Sequence, residues 1–365
     1  MKVLHILGYD EIKFNLPLVQ MLSNEDLGWE DEFYFATNNL NLYETIKEYK
    51  NTIFFEIGIS SYINQIWKKY DLIVIQGWNQ TVARASVLRK KAAKKIVWRF
   101  WGSDCFPYEE SASIKSKIAG KLLFPVLCRK ISNFYGIGYG SITDVKLINK
   151  RFHIRKGLKG YPLSFRYEKG TGEQYRKIYE ESLKEIKRPL RVMIGHSANE
   201  RENHILTLER LRKFSDKELE IVLVLSYGKD NYRKKVIEKA REIFKDKVDV
   251  ITEMMPIDQY RKFLSQVDIF AIESMGSNAL GNVEDLIYFG KKIYVRKNSF
   301  LDDYLNEISV DHFLVEDIEE MTFKKFSDKN YDKVKNHNIF LSKEDDKVAV
   351  KGHKELYAEY RRNIG

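Results

Sequence analysis

Short apolar runs recur along this chain, and most lead through a polar loop into a stretch of helical periodicity. In the first half the runs are Lys2–Leu7, Glu32–Ala36, Thr52–Phe55, Leu72–Gln76, Ile96–Phe100 and Phe134–Gly138, with Ala83–Lys94 among the helical stretches. In the second half they are Leu190–Ile194, Glu220–Leu225, Val248–Ile251, Ile269–Ile272 and Lys292–Val295. Helical patterns centre on 203–214, 231–244, 258–265 and 282–289. Strands that alternate with helices predict parallel sheets covered on both faces, here twice over. The expected class is α/β, with two Rossmann-like doubly wound domains facing across a cleft.

Length agrees with two domains, since 365 residues exceed one ordinary domain. The reading assigns 1–165 to an N-terminal acceptor-side domain, 166–189 to a linker, 190–340 to a C-terminal donor domain and 341–365 to a terminal helix. The linker is turn-rich at GYPLSFRYEKGTG, and Pro189 separates it from the next strand. Ligands of doubly wound sheets sit beyond the carboxyl ends of the strands, so the loops there carry the chemistry.

Two of these loops stand out in the second half. The run at Val192–Ile194 meets Gly195 and then a loop holding His196, Ser197, Asn199, Asn203 and His204, before an amphipathic helix. A helix N-terminus carries unpaired N–H groups and partial positive charge, and glycine lets a phosphate come close. Gly195, His196, Ser197, Asn199 and His204 are therefore expected at a donor diphosphate. The same residues also suit an ordinary capped turn. The second loop, ESMGSNALGN, offers Gly276, Ser277, Asn278, Gly281 and Asn282 ahead of a helix. Glu284 or Asp285 in that helix's first turn is expected to accept ribose hydroxyls; an acid there also suits a helix start without any ligand.

In the first half, Gly8-Tyr9-Asp10 and Trp101-Gly102-Ser103-Asp104 follow predicted strands, and Trp78 follows another. A carboxylate there is placed to take the proton of an attacking sugar hydroxyl, so Asp104 and Asp10 are the candidate bases. Gly8, Trp78, Trp101, Gly102 and Ser103 are expected on the acceptor side, where aromatic rings stack on sugars. Gly136-Ile137-Gly138-Tyr139-Gly140 lacks the acidic residue of a dinucleotide fingerprint and reads as a turn.

Charge adds a membrane to the picture. The formal net charge is +10, and 111–131 carries Lys115, Lys117, Lys121, Arg129 and Lys130 without an acid, beside Leu122, Leu123 and Phe124. A basic amphipathic segment of this kind suits an anionic membrane surface. No nucleic-acid motif accompanies the charge. The two cysteines, Cys105 and Cys128, and seven scattered histidines offer no disulfide scaffold or metal spacing. The expected mechanism needs neither metal nor cofactor, and the expected location is cytoplasmic.

The segments VLHILGYD, WRFWGSDCF and IGHSANERENHILTL, and the block from Tyr260 through Val295, resemble the bacterial TDP-N-acetylfucosamine:lipid II N-acetylfucosaminyltransferases, glycosyltransferase family 56. That resemblance implies a GT-B enzyme of surface polysaccharide synthesis, of the enterobacterial common antigen kind. It implies a dTDP-linked acetamido-deoxy sugar such as N-acetylfucosamine as donor and a polyprenyl-pyrophosphate-linked glycan as acceptor. It also implies peripheral attachment at the inner face of the cytoplasmic membrane. His196 departs from the smaller polar residue expected there, and the 273–282 loop is less Gln- and Gly-rich. A nucleotide-sugar epimerase of the same architecture and a non-catalytic sugar-nucleotide or glycan binder are the rival readings.

Overall fold

The computed structural model describes residues 1–8, 12–77, 87–101, 114–152, 158–163, 171–183, 187–328, 331, 333–341 and 346–364. The chain divides into two compact units, residues 1–169 with 345–365, and 170–344. Each is built on one all-parallel sheet.

The first sheet comprises β1 (Lys2–Leu7), β2 (Glu32–Thr37), β3 (Thr52–Phe54), β4 (Leu72–Gln76), β5 (Ile96–Arg99), β6 (Gly136–Tyr139) and β7 (Lys159–Pro162), in the order β3-β2-β1-β4-β5-β6-β7. Its central strands are mostly apolar because both faces are covered, with His5, Gln76 and Arg99 as their buried polar positions. Leu4, Ile6, Ile73 and Ile75 enter one core, while Val3, Leu7, Leu72 and Val74 enter another on the opposite face. The terminal helix Asp346–Ile364 supplies part of that second core through Leu356, Tyr357 and Tyr360. It belongs to the first unit, not to the end of the second. Gly352 makes this docking possible, since a Cβ there would overlap the Pro162 carbonyl of β7.

The second sheet comprises β8 (Leu190–Ile194), β9 (Leu219–Val224), β10 (Val248–Ile251), β11 (Ile269–Ile272), β12 (Lys292–Val295) and β13 (Phe313–Leu314), in the order β10-β9-β8-β11-β12-β13. Residues Ile194, Leu208, Leu223 and Ala271 share its core with Phe326. In both sheets the order reverses beside the first strand, between β1 and β4 and between β8 and β11. Those reversals are the crevices where doubly wound sheets take ligands.

Four expectations are revised. Strands β7 and β13 were not expected; both are short edge strands, and β7 ends in proline, which an edge tolerates because one side of its backbone needs no ladder partner. Gly136–Tyr139 is a strand, as the apolar run Phe134–Gly138 predicts, and not the turn its glycines suggest. A Cβ at Gly136 would lie 2.6 Å from the Tyr161 ring and one at Gly138 2.6 Å from Leu163, so glycine here serves close packing. The helix Thr171–Ser182, read as linker, lies in the second unit. Of the helix expected over 83–94, Lys90–Ala93 is helical, and 78–86 lie outside the described residues.

Candidate functional site

The loops after β8 and β11 meet at the switch point of the second sheet. Gly195 turns the chain at φ +63°, and a Cβ there would collide with the His204 ring and lie 2.6 Å from a Glu202 carboxylate oxygen. Glu202 is the organising group of this loop. It is fully buried, and its carboxylate accepts the backbone N–H of His196 at 2.7 Å and of Ser197 at 3.3 Å. It also accepts the Ser197 hydroxyl and stands 2.9 Å from Nδ1 of His196. Burial alone would push its carboxyl up, but the His196 and His204 rings and the Ser197 hydroxyl outweigh that and hold it below the ordinary glutamate value.

This arrangement revises how the loop works. Glu202 already uses the N–H groups of His196 and Ser197 that were expected to face a diphosphate. Asn199 caps the short 3-10 turn Glu200–Glu202 by accepting from Arg201 N–H, and so supports the loop. His204 has no exposure; its backbone N–H donates to the Tyr232 hydroxyl at 3.2 Å, and burial lowers its pKa to about 4. His196 differs from these in keeping a partly exposed side chain, at 16%.

The second loop is tied to the first. Asn203, left-handed at φ +49°, donates its side-chain amide to the Glu273 carbonyl at 2.9 Å. Glu273 is itself buried and paired with Arg210; burial raises its carboxyl pKa and the arginine opposes the shift. Ser274 donates its hydroxyl to Asn278 and accepts the Gly276 N–H at 3.2 Å, which shapes a tight turn. The helix Leu280–Tyr288 then starts from Ala279, at φ +64°, with no side chain capping it. Its first turn therefore keeps the partial positive charge of an uncapped N-terminus. Gly281 is open, since a Cβ there would meet nothing within 4 Å.

Tyr227 flanks the first loop and Tyr260 the second, and neither stands out in the sequence. The Tyr227 ring lies edge-on to His196 at 5.8 Å between centroids. The Tyr260 hydroxyl accepts the Asn282 side-chain amide at 3.0 Å, and burial first, with the Tyr227 and Asp285 charges behind it, raises its pKa. Of the two candidate ribose acceptors, Glu284 accepts the Tyr304 hydroxyl at 2.7 Å and Asp285 is buried. Glu202 had one legible signal, the Asn199-x-x-Glu202 spacing of a capping box. Tyr227 and Tyr260 had none, because only the tertiary fold brings them beside His196 and Asn282.

At the switch point of the first sheet, Gly8 donates its N–H to the Gln76 carbonyl at 3.0 Å, and a Cβ there would collide with Gly77. Gly77 turns at φ +67°. The buried Arg99 guanidinium sits 4.9 Å over the Trp101 ring, and Asp144 accepts the N–H groups of Gly140 and Ser141. Asp10, Trp78, Gly102, Ser103 and Asp104 lie outside the described residues. The helix Ile114–Ile131 leaves Ile118 and Leu122 exposed, whereas Leu123 and Phe124 pack against the core, which narrows the apolar face expected to meet a membrane. Arg129 is exposed; Lys130 donates to the Leu88 carbonyl; the side chains of Lys115, Lys117 and Lys121 lie outside the described residues. Among the described residues no helix is long and apolar enough to cross a membrane.

The fold is shared with solved glycosyltransferases. A glycosyltransferase from Rickettsia africae ESF-5 is 12% identical with a TM-score of 0.69, covering 99% of each chain. Anabaena HepE in complex with UDP is 12% identical with a TM-score of 0.67, covering 98% of this chain and all of its own. A UDP-forming α,α-trehalose-phosphate synthase from Burkholderia vietnamiensis is 8% identical with a TM-score of 0.61, covering 99% of this chain and all of its own. The model of the 4-alpha-L-fucosyltransferase family, glycosyl transferase group 56, matches residues 2–344. The chain is a glycosyltransferase and belongs to group 56.

Proposed function

We propose that this glycosyltransferase moves an acetamido-deoxy sugar, such as N-acetylfucosamine, from a nucleoside diphosphate donor, dTDP favoured, to a polyprenyl-pyrophosphate-linked saccharide. One observation carries the donor half of the reading: the Gly195–His204 loop and the uncapped N-terminus of Leu280–Tyr288 share one switch point, bridged by Asn203. A helix N-terminus without a cap favours an anion, and negative charge grows on the diphosphate as the glycosidic bond breaks. The UDP held by Anabaena HepE supports a pyrimidine nucleotide. Positive potential from the helix N-terminus makes a divalent ion unnecessary in this reading, and activity should survive EDTA.

The acceptor hydroxyl would lose its proton to Asp104 or Asp10, which follow β5 and β1 in the sequence. The exposed Ile118 and Leu122, with Arg129 and the lysines of the same helix, would rest the enzyme on an anionic inner membrane face. A thermal-shift panel of dTDP, UDP, GDP and CMP tests the donor reading, with stabilisation by the pyrimidine diphosphates expected. No stabilisation by any of them would remove it. If Asp10→Asn and Asp104→Asn each left transfer intact, the base assignment would fall.

A further inference from the structure

We propose that Glu202 and His196 form a positioning pair that reads the distal phosphate of the donor, with Glu202 holding the ring and His196 Nε2 making the contact. This inference rests on the donor reading above and adds a residue and a selectivity to it. Two histidines occupy the loop, and the fold divides their roles. His204 is sealed in the core against Tyr232, out of reach of a ligand. His196 Nδ1 stands 2.9 Å from the buried Glu202 carboxylate, within ion-pair reach though not aligned as a hydrogen bond, and its ring is partly exposed, so Nε2 lies on the edge turned away from that carboxylate.

Glu202 has the properties of a fixed anchor. Its two oxygens are engaged by the His196 and Ser197 N–H groups and the Ser197 hydroxyl, so the carboxylate has little freedom to move. Among the described residues, the groups facing His196 are Glu202 and His204 from its own loop and Tyr227 from the loop after β9, with Tyr260 beyond Tyr227 and Asp285 beyond Tyr260. The ring offers one nitrogen to each side, Nδ1 toward the Glu202 anion inside the protein and Nε2 toward the ligand. In the transfer step the electron pair of the breaking anomeric C–O bond passes to a diphosphate oxygen. The acceptor oxygen bonds to the anomeric carbon and yields its proton to the base. The His196 N–H stabilises the leaving oxygen and changes no bond.

The pair acts on the distal phosphate, so it predicts a selectivity that a merely structural loop would not give. Isothermal titration of the full chain with dTDP, dTMP, UDP and UMP measures it. The wild type should prefer each diphosphate to its monophosphate. His196→Ala should lose about tenfold of that preference with little change in monophosphate affinity. His196→Gln, which restores a side-chain donor, should regain part of it. Glu202→Gln should lower the preference like His196→Ala; if it does not fold, the histidine variants alone decide. A diphosphate preference unchanged in His196→Ala would overturn the pair and leave the donor site standing. Absence of binding by all four nucleotides to the wild type would instead overturn the donor site on which the pair rests.

Discussion

The side-chain amide of Asn203 donates to the backbone carbonyl of Glu273 across 2.9 Å, joining the loop after β8 to the loop after β11. Residues 70 positions apart thereby set the spacing of the candidate donor site. Asn203 also sits at φ +49°, a conformation that asparagine tolerates better than most residues. Asn203→Gly should keep the backbone and lose only the bridge, about 1 kcal/mol of stability. Asn203→Ala should lose the bridge and add left-handed strain, about 1–2 kcal/mol more. Urea unfolding of the two variants checks the order, and pyrimidine diphosphate affinity should fall in both. Equal stabilities would show that the left-handed turn is not what limits the site.

Gly195 has less latitude. Its positive φ disfavours any side chain, and a Cβ would press on both Glu202 and His204. Gly195→Ala should cost about 3 kcal/mol or more, because neither neighbour can retreat from a fully packed position. Its melting temperature should fall further than that of Gly281→Ala, where the added methyl meets nothing. A stable Gly195→Ala variant with normal nucleotide affinity would contradict the description of this loop.

The terminal helix offers a test with an inverted sign. Replacing a helical glycine by alanine ordinarily stabilises by roughly 1 kcal/mol. At Gly352 the methyl would overlap the Pro162 carbonyl, so Gly352→Ala should destabilise the first unit and expose Asp346–Ile364 to proteases. Tyr357→Phe should give a milder loss of about 1 kcal/mol, since it removes only the hydroxyl that faces His5 Nε2 at 2.9 Å in a dry core. Limited proteolysis and thermal melts distinguish the two.

Acid should weaken both units. Burial lowers His204 in the second unit and His353 in the first to about 4. The unfolded chain takes up those protons near 6.5, while the native fold resists until about 4. Stability is thus fully present above pH 6.5 and falls as pH drops from 6.5 toward 4, by at most about 3 kcal/mol for each ring. Urea midpoints measured at pH 7 and pH 5 should separate clearly, and His353→Gln should remove that ring's share, while the buried His5 of the same unit, also lowered by burial, keeps its own. A flat profile over that window would mean that these rings are already protonated in the fold.

The run of buried aliphatics in β1, β4, β8 and β11 announces itself in sequence because a strand covered on both faces reads as a near-continuous apolar run. Those boundaries agree with the structure to the residue, and the switch-point loops follow from them. The edge strands β7 and β13 escape notice since an edge needs neither length nor a full set of N–H donors. The anion-binding look of Gly195–His204 was legible, but its occupant was not. Nothing in the order of residues says that Glu202 would turn inward and take the N–H groups of His196 and Ser197.

By itself, then, the sequence determined the α/β class, the strands that carry each sheet and the loops that end them, because these depend on local apolar runs and turn chemistry. Tertiary structure alone decided which of two histidines is sealed and which is partly exposed, which tyrosines flank the loops, and where the terminal helix docks. Those outcomes depend on contacts between residues far apart in the chain, such as Asn203 with Glu273 and Gly352 with Pro162, and local pattern carries no record of them.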